Sequence, residues 1–297
     1  MSDYLLFMDV SGDLDPQFAI EHDIHLVPMQ FIINGEAKTY NYTDSEIDLV
    51  DFYKFVKEEV QIKTTQVTPY IYKEIFGPYL AQGYSILFLC LSSGLSSTVN
   101  SAQEAAMELK EEYPGVELKV IDSLNATAGM GILAEQMAYN KEKGLSLDEN
   151  YESIQHLRHC TCVNAYVDNL TALKNGGRIS SATAFFGGML DIKPLICINK
   201  AGGLDVWGKN RGVHKSMDAL INYYKEHHCD DPDSIVYVCD ADENKNSDEL
   251  ARRILEVNPN AVIKRRMLSP IIGAHLGHGS LVLGYWQKDT GEENSNS

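Results

Sequence analysis

The chain has 297 residues, 44% of them apolar, which is enough for one large or two ordinary domains with real cores and too many for a disordered polymer. Asp and Glu outnumber Lys and Arg by 42 to 25, and the resulting charge of −17 works against binding to nucleic acid or an anionic membrane surface. The first residues, Ser2 to Asp9, have no basic flank, and no stretch approaches the roughly 20 apolar residues that span a bilayer, so a soluble cytoplasmic protein is expected.

Strand-like and helix-like runs alternate through the first half. Tyr4 to Asp9 and Ile24 to Ile33 read as strands, and Glu46 to Glu59 places Ile47, Val50, Phe55 and Val56 on a rough 3.6-residue period. Tyr70 to Gln82 is predicted helical, Ile86 to Leu91 a strand, Ser96 to Glu112 a helix, Val116 to Ile121 a strand, and Asn125 to Lys143 a long helix ended by Gly144. This alternation predicts a mostly parallel sheet covered by helices. Its strands end at Asp9-Val10-Ser11, Leu91-Ser92-Ser93 and Asp122-Ser123, gathering polar residues on the carboxyl edge where open sheets bind ligands.

The second half changes character. A helix from Leu147 to His159 leads into a strand Cys162 to Asp168, then Gly176-Gly177-Arg178 and a small-residue helix Ser181 to Met189. Ile192 to Asn199 and Leu204 to Gly208 flank Lys200-Ala201-Gly202-Gly203 as a hairpin. A helix from Gly212 to His227 follows. Strands Ile235 to Cys239, Ala261 to Arg266 and Ser280 to Tyr285, with a helix Ser247 to Glu256, complete a mixed sheet. The expected organisation is an N-terminal α/β domain over residues 1–160, a C-terminal α/β domain over 161–287, and a disordered acidic tail over 288–297.

Reactive motifs are scarce. Cys90, Cys197 and Cys239 sit inside strand-like apolar runs and read as reduced core residues. His156, His159, Cys160 and Cys162 have metal-like spacing, but no second His or Cys pair stands at finger-like distance, so no metal is expected. Gly203 to Asn210 approximates a phosphate-binding loop yet ends in Asn210 where Ser or Thr must hold magnesium, and it forms an arm of the hairpin. No G-x-S-x-G elbow is present. Ser93, His275 and Asp9 or Asp122 still compose a triad on paper, which leaves a serine-dependent lipid hydrolase or acyltransferase as the alternative function.

What remains is a set of donors. Lys63 to Pro69 and Leu91 to Ala102 are dense in hydroxyls, and the second lies where a strand passes into a helix, so backbone N–H groups and Ser or Thr hydroxyls point outward together. Taken singly, Ser93 or Ser96 is a helix cap, Arg178 a surface cation and His275 a core histidine. Taken together, on loops of two domains, they complement a carboxylate.

Eight ordered signatures carry a family resemblance over about Tyr4 to Tyr285. They are Asp9-Val10-Ser11-Gly12-Asp13, Thr64-Thr65-Gln66-Val67-Thr68, Ser92-Ser93-Gly94-Leu95-Ser96-Ser97-Thr98, Ile121-Asp122-Ser123, Gly176-Gly177-Arg178-Ile179, Ile192-Lys193-Pro194, Asn210-Arg211 and His275-Leu276-Gly277-His278-Gly279. In these the chain resembles the DegV family of bacterial fatty-acid-binding proteins. The resemblance implies a DegV-like two-domain α/β fold with a long-chain fatty acid in a buried tunnel between the domains, its carboxylate held by Thr64, Thr65, Ser92 and Ser93 with Arg178 and His275 nearby. It further implies a non-catalytic, cofactor-free carrier that presents the acid to a separate fatty acid kinase for conversion to acyl-phosphate, with Arg211 at the docking surface. A monomer suits such a shuttle. Ser97 stands where the family usually has Gly, and Val67 where it has Pro. Phe185, Phe186, Met189 and Leu190 are candidates for the tunnel lining.

Overall fold

Three sheets organise the chain, as seen in a computed structural model that describes residues 4–168, 170–179, 191–229 and 234–288. The N-terminal part runs β1 (Tyr4–Asp9), a 3-10 turn (Val10–Gly12), α1 (Pro16–Glu21), β2 (Ile24–Val27), β3 (Met29–Ile33), β4 (Glu36–Tyr40), α2 (Leu49–Lys57), β5 (Ile62–Thr64) and α3 (Pro69–Ala81). It continues through β6 (Ser85–Cys90), α4 (Thr98–Glu112), β7 (Leu118–Asp122), α5 (Thr127–Glu142) and α6 (Leu147–Leu157). After it come β8 (Thr161–Tyr166), α7 (Leu170–Gly176), β9 (Ile192–Ile198), β10 (Leu204–Arg211), α8 (Val213–His227), β11 (Ile235–Asp240), α9 (Asn244–Val257), β12 (Val262–Met267), α10 (Pro270–Leu276) and β13 (Leu281–Trp286).

The first sheet, ordered β2-β1-β6-β7, is wholly parallel, as the strand-helix alternation predicts. β1 and β6 are buried along their full length, which suits central strands covered on both faces. The six-stranded sheet, ordered β10-β9-β8-β13-β11-β12, is mixed, with only β11 and β12 parallel. Between the sheets lies α5, buried over most of its length, Glu135 and Asn140 included. Small residues permit that position: a side chain at Gly284 of β13 would strike Ala128, and one at Gly131 would reach the Gly12 carbonyl and the Tyr237 ring.

The third sheet is a departure from the sequence reading. Ile24 to Ile33 forms two strands in different sheets, because Pro28 has no N–H to continue a ladder. β3 turns back through Asn34-Gly35, both at positive φ, into β4 and also pairs with β5. Two short helices also escape periodicity. α7 and α10 span seven residues each, and α10 is bounded by Pro270 at its start and Gly277 after its end. His275 therefore sits in the last turn of a helix and not on a loop. The expected helix Ser181 to Met189 and the tail from 289 lie outside the described residues.

Candidate functional site

A cavity of about 400 Å³ opens where the carboxyl ends of β5 and β6, the inner face of the six-stranded sheet, and α10 meet. Its apolar wall is drawn from several elements: Met29 of β3, Leu91, Val163 of β8, Ile196 of β9, Ile271 of α10 and Val282 of β13. Thr64, Thr65, Ser93, Ser96, Arg178 and His275 supply its polar lining. Clefts of this size, mostly apolar with a few convergent polar groups, are the usual form of a small-molecule site.

The turn after β6 is held from two sides. Asp9, fully buried at the end of β1, accepts hydrogen bonds from Ser11 and, at 2.7 Å, from the backbone N–H of Leu91. Burial pushes the Asp9 carboxyl above its usual range, opposed by those bonds. Ser92 is buried, and its hydroxyl donates to the Gly202 carbonyl at 2.8 Å while accepting from the Gly94 N–H. That hydroxyl faces the β9–β10 hairpin turn, and Ser92 is not part of the cavity wall. Gly94 lies so close to the same turn that a Cβ would fall 2.5 Å from the Gly202 backbone. The hairpin thus seats on the serine loop, a contact that no local pattern announces.

Gln66 joins the two hydroxyl-rich segments. Its Nε2 donates to Ser101 Oγ at 2.6 Å and to the Ser97 carbonyl at 3.1 Å. Ser97 occupies the cap position of α4 at negative φ, so the backbone there has no need of glycine. Val67 is buried next to the Thr68 cap of α3. Thr65 lines the cavity, but its hydroxyl is engaged with the Gln30 carbonyl at 3.2 Å. Ser93 is exposed at the mouth, and its N–H donates to Asp122 Oδ1 at 3.1 Å.

Thr64 and His275 meet directly, Oγ1 to Nε2 at 2.9 Å across 211 residues of sequence. His275 Nδ1 is buried against the Gly176 backbone without a well-formed hydrogen bond, and a Cβ on Gly176 would come within 2.7 Å of it. Burial, with the Arg178 guanidinium adding to it, lowers the His275 pKa to about 4. The imidazole is therefore neutral at pH 7. Arg178 is exposed, and it donates to the Gly176 carbonyl at 2.6 Å and to the Leu95 carbonyl at 3.4 Å, so it reaches from the Gly176-Gly177 loop to the serine loop across the cavity edge. The arrangement offers one cation, neutral donors and an apolar chamber.

It does not assemble the paper triad. His275 Nε2 faces Thr64 and not Ser93, while the Asp9 and Asp122 carboxylates are engaged with backbone N–H groups of Ser11, Leu91, Ser93 and Leu124. No His, Cys, Asp or Glu cluster among the described residues gathers as a metal would require, the His156 to Cys162 segment included. The six cysteines are free thiols, Cys90 and Cys239 fully buried on β6 and β11. No helix of the described residues is long and apolar enough to cross a membrane. Phe185, Phe186, Met189 and Leu190 lie outside the described residues.

Residues 5–288 match the family model described as "Uncharacterised protein, DegV family". A DegV domain-containing protein of Clostridium perfringens is 33% identical over 98% of this chain and 100% of its own length. Among solved structures, the Streptococcus pneumoniae Fatty Acid Kinase (Fak) B3 protein loaded with linoleic acid aligns with a TM-score of 0.83 at 23% identity, covering 96% of this chain and all of that one. A Thermus thermophilus DegV family protein, solved in a study of its fatty acid binding, aligns with a TM-score of 0.83 at 24% identity over 96% of this chain and all of its own. At these identities the structural likeness establishes a shared fold.

Proposed function

We propose, from the premise that this chain belongs to the DegV family, that it is a carrier of long-chain fatty acids which buries the acyl chain and presents the carboxylate at a polar mouth. The observation that carries this reading is the Thr64–His275 pair on an otherwise largely apolar cavity, with Arg178 at its edge. A fixed guanidinium and oriented hydroxyls suit an anionic head group, since hydrogen bonds to a charged partner are about twice as strong as neutral ones. Thr64, Thr65 and Ser93 would face that head group, and Ser92 would shape the turn that carries Ser93. Ten buried methylenes at about 0.8 kcal/mol each supply roughly 8 kcal/mol, comparable to micromolar binding, whereas a short acid gains too little.

The chemistry then belongs to a partner. A carboxylate near exposed Arg178 is within reach of a kinase that adds phosphate to it, and the carrier needs no catalytic group or cofactor of its own. Arg211, exposed at the end of the sheet-edge strand β10, is the proposed docking contact. Native mass spectrometry of freshly purified protein should find a bound long-chain acid. Protein that stays empty when offered saturated and unsaturated acids would overturn the reading, as would ester turnover that disappears in Ser93→Ala and marks a hydrolase.

A further inference from the structure

Lys193 is one of the few charged side chains that this fold buries, at 8% exposure, and the head-group chemistry makes no direct use of it. Its Nζ lies 2.7 Å from Asp168 Oδ1 and 3.1 Å from Asp191 Oδ1. Those two aspartates stand in a particular place. β8 and β9 are antiparallel neighbours, with Tyr166 opposite Leu195, so a tight turn would suffice to join them. The chain leaves the ladder after Val167, whose N–H still bonds the Pro194 carbonyl, and β9 begins only at Ile192. Asp168 and Asp191 flank the excursion between the two strands, whose described part, residues 170–179, holds α7 and Arg178.

Each end is also tied to a functional element. The Asp168 N–H donates to Ser280 Oγ at 3.2 Å, and Ser280 Oγ donates to the Leu276 carbonyl at 2.9 Å, the residue after His275. Gly279, at φ 83°, lets the Asp168 side chain approach, since a Cβ would fall 2.9 Å from it. At the other end the Asp191 carbonyl accepts from the Gly212 N–H at 3.1 Å, directly after Arg211, which pairs with Ile192. One ammonium therefore closes the base of a stretch that joins the His275 helix on one side to Arg211 on the other.

We propose that Lys193 is a positioning residue: by pairing with both Asp168 and Asp191 it pins the base of the Arg178-bearing excursion against α10, so that Arg178 and His275 converge on one anion. Removing the buried lysine would leave the partly exposed Asp168 and Asp191 carboxylates facing each other without a countercharge, a repulsion that water screens in part. This inference rests on the head-group reading of the site, and its test separates the two. In ligand-free protein, Lys193→Met should speed amide exchange in residues 170–179 and leave β1 unchanged, while Lys193→Arg should keep exchange near the wild-type rate.

With oleate as the probe in titration calorimetry, Lys193→Met should weaken binding about tenfold. In a background already carrying Arg178→Ala the same change should cost less than about twofold, because the residue acts through Arg178. Losses that multiply, or unchanged exchange at 170–179, would overturn the proposal. Altered exchange in a protein whose wild type binds no fatty acid would leave the clamp standing and remove the head-group reading. Should Lys193→Met fail to fold, Asp191→Asn removes one arm of the clamp from a half-exposed carboxylate and must show the same coupling to Arg178.

Discussion

Replacing Thr64 by Val tests the centre of the site with almost no change of shape. The hydroxyl is 2.9 Å from His275 Nε2, and the neutral imidazole, burdened already by a buried Nδ1 without a well-formed bond, would lose its partner. Leaving such a group unpaired costs about 1–3 kcal/mol, and at about 2–4 °C per kcal/mol the melting midpoint of the empty protein should fall by roughly 2–12 °C. The loss in binding is separate. With the ring proton on Nε2, the Thr64 hydroxyl accepts from His275 and donates its own proton to the carboxylate, and a bond to a charged group contributes about 1.5–3 kcal/mol, or roughly 10- to 150-fold in affinity. Oleate titration of Thr64→Val, beside a thermal melt without ligand, measures both. Thr64→Ser keeps the hydroxyl and should recover most of the affinity. If Thr64→Val binds oleate within twofold of wild type, the Thr64–His275 pair does not hold the head group.

Arg178→Ala should weaken oleate binding by more than about 1.5 kcal/mol, the lower range for a charge-assisted bond, and equal affinity in titration would remove Arg178 from the site. Gly176→Ala replaces a helical glycine, a change worth up to about 1 kcal/mol of added helix stability, yet its methyl would press within 2.7 Å of His275 Nδ1. Binding should drop while the melting midpoint does not rise as helix propensity alone would require, and unaltered binding would show that His275 moves freely. Acid stability gives a signed test: unfolded histidine takes its proton near 6.5 and folded His275 near 4, so its contribution is present above about pH 6.5 and fades by about 3 kcal/mol as pH falls to about 4. His275→Gln should gain on wild type over that window in urea denaturation, whereas Asp13, raised to about 6 by burial, acts with the opposite sign in both proteins. Arg211→Ala should leave oleate binding unchanged and slow phosphorylation by the partner kinase, and equal rates would contradict the docking role.

The alternation of strands and helices was legible because it depends on local periodicity. β1 and β6 are continuous apolar runs and α4 is long enough for its buried positions to repeat, so the parallel sheet follows from their alternation. The short elements carry too few turns for a period to emerge. β4 and β5 carry few apolar residues, although Asn34-Gly35 is a hairpin signal in plain view, and α7 and α10 span seven residues each, although Pro270 and Gly277 bracket one of them.

The hydroxyl-rich segments, the Gly176-Gly177-Arg178 loop and His275 could be picked out of the linear chain by residue type and order. Their meeting could not. Thr64 touches His275 from 211 positions away, Ser92 turns its hydroxyl to Gly202, and Lys193 pairs with Asp168 25 positions away, separations that only folding brings to a few ångströms. Residue chemistry is a local property that the chain carries with it unfolded, whereas which donor remains free for a ligand depends on which neighbours satisfy it first, and packing supplies those neighbours.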